Sequence, residues 1–147
     1  MENEKEVEIL IVEDNQNDVE MAIRALKKNN LSNEIQVVED GAEALDFIYA
    51  KGKYSERKCN KYPKIILLDL KLPKVDGLEV LREIKTNPET KRIPVIVLTS
   101  SKEENDMVES YQLGVNSYIV KPVDFNKFVD AVKNIGYYWL LLNQQPG

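Results

Sequence analysis

Short apolar runs alternate along the chain with stretches whose apolar residues recur every three or four positions. Val7 to Val12, Ile35 to Val38, Ile65 to Leu68, Val95 to Leu98 and Ser117 to Val120 have the length and β-branched character of buried strands. Between the first two, Val19, Ala22, Ile23 and Leu26 fall on one helical face, and Asn29-Asn30 closes the helix. Asp40-Gly41-Ala42-Glu43 places Glu three positions after a capping Asp, which predicts a helix running to about Tyr49. Leu78, Leu81 and Ile84 mark the next helix. Ser101-Lys102-Glu103-Glu104 predicts a second capping box, opening a helix that turns Met107, Val108 and Tyr111 inward and stops at Gly114. Phe125, Phe128, Val129, Val132 and Ile135 define the last helix. The polar segment from Gly52 to Pro63 reads as a solvated connecting loop, longer than such connections usually are.

This alternation of strand and helix, with strands apolar throughout, predicts an α/β fold: a doubly wound five-stranded parallel sheet covered by helices on both faces. At 147 residues the chain fits a single domain, 1–147, with its core over about 7–135 and a helix extension and tail over 136–147. Sheets of this kind bind ligands in the crevice at the carboxyl ends of their strands, where the strand order reverses.

Composition narrows the chemistry that such a crevice can host. Histidine is absent, which removes His-based metal sites and Ser-His or Cys-His nucleophiles. The one cysteine, Cys59, has no internal disulfide partner and reads as a surface thiol in a reducing compartment. A net charge of −5 argues against broad binding to the phosphate backbone of nucleic acid. The basic residues that do cluster (Lys51, Lys53, Arg57, Lys58, Lys61 and Lys64) are explained as well by a solvated loop as by a docking patch. No apolar run approaches a membrane span, and the charged start Met-Glu-Asn-Glu-Lys-Glu has neither a basic n-region nor an apolar h-region. No membrane partner is therefore expected, and the cytoplasm is the expected address.

The strands end in polar chemistry. The first runs into Glu13-Asp14, the third into Asp69, the fourth into Thr99-Ser100-Ser101 and the fifth into Lys121-Pro122. Each piece alone has a plainer reading as a helix cap, a turn former or a polar strand end. A parallel sheet changes that, because it brings all four ends to one edge. Carboxylates gathered there repel and titrate as a group unless a cation intervenes. A hard divalent ion such as Mg²⁺, which keeps waters and takes few carboxylates, resolves the conflict. An ammonium from Lys121 and a hydroxyl donor from Thr99 complete the set of groups that a transferring phosphoryl group requires.

In this order and spacing, Ile-Val-Glu-Asp-Asn at 11–15, Leu-Leu-Asp-Leu-Lys-Leu-Pro-Lys-Val-Asp-Gly at 67–77, Val-Leu-Thr-Ser at 97–100 and Val-Lys-Pro at 120–122 resemble the receiver domain of two-component response regulators. The resemblance covers about Val7 to Ile135 and implies a flavodoxin-like (βα)5 sheet of order 2-1-3-4-5. It implies that Asp69 accepts a phosphoryl group from a phospho-histidine on a sensor histidine kinase. Asp14 would bind Mg²⁺ directly, Glu13 would act through its water, and Asp69 and the Lys71 backbone carbonyl would be further ligands. Thr99 and Lys121 would hold the phosphoryl oxygens, with a cis bond between Lys121 and Pro122. Tyr118 matches the aromatic switch residue that responds to movement of Thr99. Lys71 and Ser101 occupy variable positions that influence how fast the acyl phosphate hydrolyses.

The long Gly52–Pro63 loop and the ending Gly-Tyr-Tyr-Trp-Leu-Leu-Leu-Asn-Gln-Gln-Pro-Gly are similar to stand-alone regulators paired with phytochrome-like kinases, and no output domain is expected. Tyr137, Tyr138, Trp139, Leu140, Leu141 and Leu142 either extend the last helix toward a second subunit, giving a homodimer through the last strand and helix, or fold back on their own core.

Three other functions compete. A haloacid-type phosphatase shares the strand-end Asp and Mg²⁺, but it wants an acid two positions on, where Lys71 stands. A flavodoxin-like FMN carrier needs a hydroxyl-rich loop in place of Glu13 to Asp18. A binding module that has lost phosphorylation is opposed by intact Asp14, Asp69, Thr99 and Lys121.

Overall fold

The computed structural model describes residues 9–30, 34–57, 62–122 and 124–143, with side chains as far as 134. Strand β1 (Ile9–Val12) leads into α1 (Gln16–Lys28), followed by β2 (Ile35–Val38), α2 (Gly41–Ile48), β3 (Ile65–Leu68), α3 (Gly77–Thr86), β4 (Val95–Thr99), α4 (Glu104–Leu113), β5 (Ser117–Val120) and α5 (Phe125–Asn143). The strands form one sheet in the order β2-β1-β3-β4-β5, and every neighbouring pair is parallel. The expected α/β class and strand order are those observed. β1 lies between β2 and β3, so the order reverses there and a crevice opens above its carboxyl end.

The central strands are buried on both faces, which is why they are apolar without alternation. Leu10 and Val12 of β1 join Phe47, Ile48, Leu81 and Ile84 in a core beneath α2 and α3. Ile9 and Ile11 point the other way, against Ala25 and Leu26 of α1 and Phe128 and Val132 of α5. Asn29 ties those two helices together, its Nδ2 donating to the carbonyls of Ala25 and Val129.

Caps fix where the helices begin. The Asp40 carboxylate caps the Glu43 N–H at 2.7 Å as expected, while Glu43 Oε1 reaches back one residue beyond the cap, to the Glu39 N–H. Gly114 ends α4 at φ 102°, a left-handed cap. The second box does not form. Ser101 is buried, its hydroxyl donates to Asp106 Oδ2 at 2.7 Å, and α4 starts later, behind Glu103. Val108 and Tyr111 also depart from expectation, being 46% and 51% exposed. The buried stripe of α4 carries Ser110, with Met107 and Leu113 partly covered, and this turns Val108 and Tyr111 outward.

The segment after α2 is less solvated than its composition suggests. Gly52–Tyr54 forms a 3₁₀ turn, the Tyr54 ring meets Phe47 edge-on at 5.0 Å, and the Arg57 guanidinium lies 3.9 Å above the Phe47 ring. The Tyr54 hydroxyl donates to Glu43 Oε2 at 2.6 Å, and Arg57 donates to the Phe47 carbonyl. Val7, Cys59, Lys58, Lys61 and the Tyr137–Leu142 side chains lie outside the described residues. The α5 backbone is helical to Asn143.

Gly77 opens α3 directly under the loop that carries Asp69. A Cβ there would lie 2.3 Å from the Asp69 carbonyl oxygen and 2.4 Å from Leu70 Cα, both of which are backbone. Gly77→Ala should cost about 3 kcal/mol or more in urea unfolding, since neither atom can yield without moving the loop. Gly114→Ala, which meets nothing within 4 Å, should cost only about 1–2 kcal/mol for its positive φ. Equal losses in the two variants would contradict the packing given for Gly77.

Candidate functional site

Three residues of the crevice stand one step beyond their strands and still belong to the sheet. The Glu13 N–H donates to the Val38 carbonyl at 3.0 Å, the Asp69 N–H to Val12 at 3.0 Å, and the Lys121 N–H to Thr99 at 2.8 Å. Their backbones are therefore held by neighbouring strands, and their side chains emerge at one edge. The Lys121–Pro122 peptide is cis.

Glu13, Asp14 and Asp69 each offer a carboxylate oxygen, and these oxygens lie within 4.8 Å of one another. Glu13 and Asp69 are buried, whereas Asp14 is open to solvent. Close oxygens with one open side are the donor set that a hard divalent cation takes while keeping its waters, so the residues fit such an ion. Burial pushes the Glu13 carboxyl up to about 7; the Lys121 hydrogen bond opposes that rise and the Asp69 charge adds to it.

The Lys121 ammonium answers the negative charge. It lies 2.8 Å from Asp18 Oδ2, 2.9 Å from Glu13 Oε1 and 3.3 Å from Asp69 Oδ2. Burial lowers the affinity of this amine for its proton, but the hydrogen bonds to Asp18 and Glu13 and the charges of Glu13 and Asp69 outweigh it, so the ammonium is held above lysine's ordinary value. The other oxygen of Asp69, Oδ1, accepts from the Lys71 N–H at 3.0 Å. Both oxygens of Asp69 are thus oriented, one by an amide and one by an ammonium.

The remaining expected residues lie one layer away. Thr99 is fully buried at the end of β4, its Oγ1 accepting from the Ser101 N–H at 3.2 Å. Tyr118 is buried, and its hydroxyl donates to the Ser101 carbonyl at 3.2 Å rather than reaching the carboxylates. The Lys71 side chain turns away from the cluster, to Glu103 at 3.4 Å and Asp106 at 3.9 Å. One residue of the crevice was not singled out from the sequence. Asp18 stands in the first turn of α1, where Asn15 Oδ1 caps its N–H at 3.1 Å, and its carboxylate is the nearest of the three around Lys121. An acid in the first turn of a helix that starts at the crevice was the available signal.

Known proteins resemble this chain in sequence and fold. Residues 9–133 match the response regulator receiver domain family. Response regulator Rcp1 of Synechocystis sp. is 42% identical over 132 residues, which span 90% of this chain and 88% of that protein. The crystal structure of the Mn(2+)-bound form of Rcp1 aligns with a TM-score of 0.77 at 40% identity, over 97% of this chain and 100% of that one. The bacteriophytochrome response regulator AtBRR aligns at 0.74 with 50% identity, covering 96% and 100% of the two chains. The phosphorylated cyanobacterial phytochrome response regulator RcpA aligns at 0.77 with 40% identity, covering 97% and 100%. On these matches, and on a sheet order and acidic crevice that agree with them, the chain belongs to the response regulator receiver family of two-component signalling.

Proposed function

We propose that Asp69 is the phosphoacceptor of this receiver and that Mg²⁺ is the divalent cation of its acidic pocket. The observation that carries the reading is the set of Glu13, Asp14 and Asp69 oxygens within 4.8 Å of one another, with Lys121 against Asp69. A carboxylate oxygen of Asp69 forms a bond to phosphorus as the bond from phosphorus to the donor's imidazole nitrogen breaks, and that nitrogen keeps the bonding pair. Asp14, Glu13 and Asp69, with the Lys71 carbonyl, would hold the cation, which when bound offsets charge on the phosphoryl oxygens. Lys121 supplies the second positive charge from the opposite wall. Thr99 donates its hydroxyl proton to a phosphoryl oxygen, a bond its oxygen can make while still accepting from the Ser101 N–H. Tyr118, bonded to the carbonyl of the same Ser101, is positioned to respond.

The chain promotes only the gain and loss of its own phosphoryl group, as a switch rather than a turnover enzyme. The donor is a sensor histidine kinase, and likeness to AtBRR and RcpA supports one of phytochrome type. A cytoplasmic address is part of this reading and rests on the single cysteine.

Incubation with phosphoramidate and Mg²⁺, followed by intact mass, should show a single phosphate adduct. The adduct should be lost in Asp69→Asn and with chelator, and phosphate monoesters should not be turned over. An adduct that persists in Asp69→Asn would displace the acceptor. No adduct on the wild type, under conditions where an acyl phosphate survives, would leave an inert binding module.

The state of Glu13 gives a second test. Its carboxyl in the fold is raised from 4.5 to about 7, so the protonated form is favoured by folding. That contribution is full below pH 4.5 and is lost as pH rises through about 7. In chelator, Glu13→Gln should therefore gain stability relative to wild type between about pH 5 and pH 8, and saturating Mg²⁺ should abolish the gain. Melting temperatures of the two proteins that run parallel across this range in chelator would contradict the charge assignment.

A further inference from the structure

Asp18 is the nearest carboxylate to Lys121, at 2.8 Å, yet it stands outside the group of oxygens that fits a cation. The other two carboxylates on Lys121, Glu13 and Asp69, both belong to that group. A divalent ion in the pocket would draw on Glu13 and Asp69 and compete with Lys121 for them. Asp18 is then the one partner of the ammonium that the ion does not claim. Its backbone cannot drift, because Asn15 caps its N–H, and the Asn15 N–H is itself held by Glu13 Oε2 at 3.1 Å. The carboxylate is three-quarters buried, so water does not readily replace the ion pair.

We propose that Asp18 is a positioning residue for phosphoryl transfer, holding the Lys121 ammonium beside Asp69 while the cation occupies the carboxylates that Lys121 would otherwise share. The inference rests on the phosphoacceptor reading above. Lacking Asp18, the ammonium has only the cation's own ligands as partners, and like charge drives it from them toward solvent. Asp18 touches neither the phosphoryl group nor the cation and acts through Lys121 alone. The raised proton affinity of Lys121, in which the Asp18 hydrogen bond is the largest favourable contribution, agrees with this pairing.

The test follows adduct formation with phosphoramidate and Mg²⁺ by intact mass over time, in wild type, Asp18→Asn, Lys121→Met and the double variant. Asp18→Asn should lower the maximal rate about tenfold, the order of one charge-assisted hydrogen bond, and leave the half-saturating phosphoramidate concentration unchanged. In the Lys121→Met background the same change should have an effect of less than about twofold, since the two residues act as one unit. Asn29→Ala, which loosens α1 from α5 away from the crevice, should retain the wild-type rate and control for helix docking.

A wild-type rate in Asp18→Asn would overturn the inference while leaving Asp69 as acceptor. A full tenfold loss in the Lys121→Met background, or an equal loss in Asn29→Ala, would also overturn it by assigning the effect to general charge or to helix docking. Failure of the wild type itself to form an adduct would remove the phosphoacceptor reading, and this inference with it.

Discussion

The Lys121 ammonium sits among the carboxylates of Glu13, Asp18 and Asp69, two of them on strand ends and one on a helix. Charges so close inside a partly dehydrated crevice are a constraint as much as an attraction. One ammonium cannot neutralise these acids together with Asp14, and the excess negative charge is what the pocket offers to a divalent ion. The sheet makes the arrangement tolerable. Glu13, Asp69 and Lys121 are each tied by a backbone hydrogen bond to the next strand, so their mutual repulsion cannot be relieved by letting the loops spread. Cores on both faces of the sheet stiffen that edge further.

Contacts lead outward from the same point. The Lys71 amide holds one oxygen of Asp69, while its ammonium reaches Glu103 and Asp106 at the start of α4. Asp106 accepts from the Ser101 hydroxyl, and the Ser101 carbonyl accepts from Tyr118. The Tyr118 N–H meets the hydroxyl of Tyr111, a residue of the exposed face of α4. A change of charge at Asp69 therefore has packed, polar neighbours on the way to α4 and β5.

Much of this was legible in the sequence, for physical reasons. A strand buried on both faces must be apolar throughout, so Ile65 to Leu68 announced itself, and Asp69 stood out because it breaks such a run. Parallel order then required Glu13, Thr99 and Lys121 to share its edge. The misreadings came where a tertiary partner outbid a local pattern. Ser101 had the spacing of a capping residue but lay close to Asp106, and its hydroxyl went there. α4 carries apolar residues on more than one side, so periodicity did not reveal that Ser110 would be buried and Val108 exposed. Asp18 was hidden because its partner lies at the far end of the chain. The polar composition of the segment after α2 concealed Tyr54 and Arg57, whose ring and guanidinium cover Phe47.

Lys121 is the internal counter-ion to carboxylates that also fit a divalent ion. That role is tested most directly by the thermal stability of Lys121→Met with and without saturating Mg²⁺. In chelator the variant should lose about 3 kcal/mol or more, because buried carboxylates are left uncompensated. Mg²⁺ should restore much of that loss, so the ion should stabilise the variant by more than it stabilises the wild type. A smaller Mg²⁺ stabilisation in the variant than in the wild type would contradict that role.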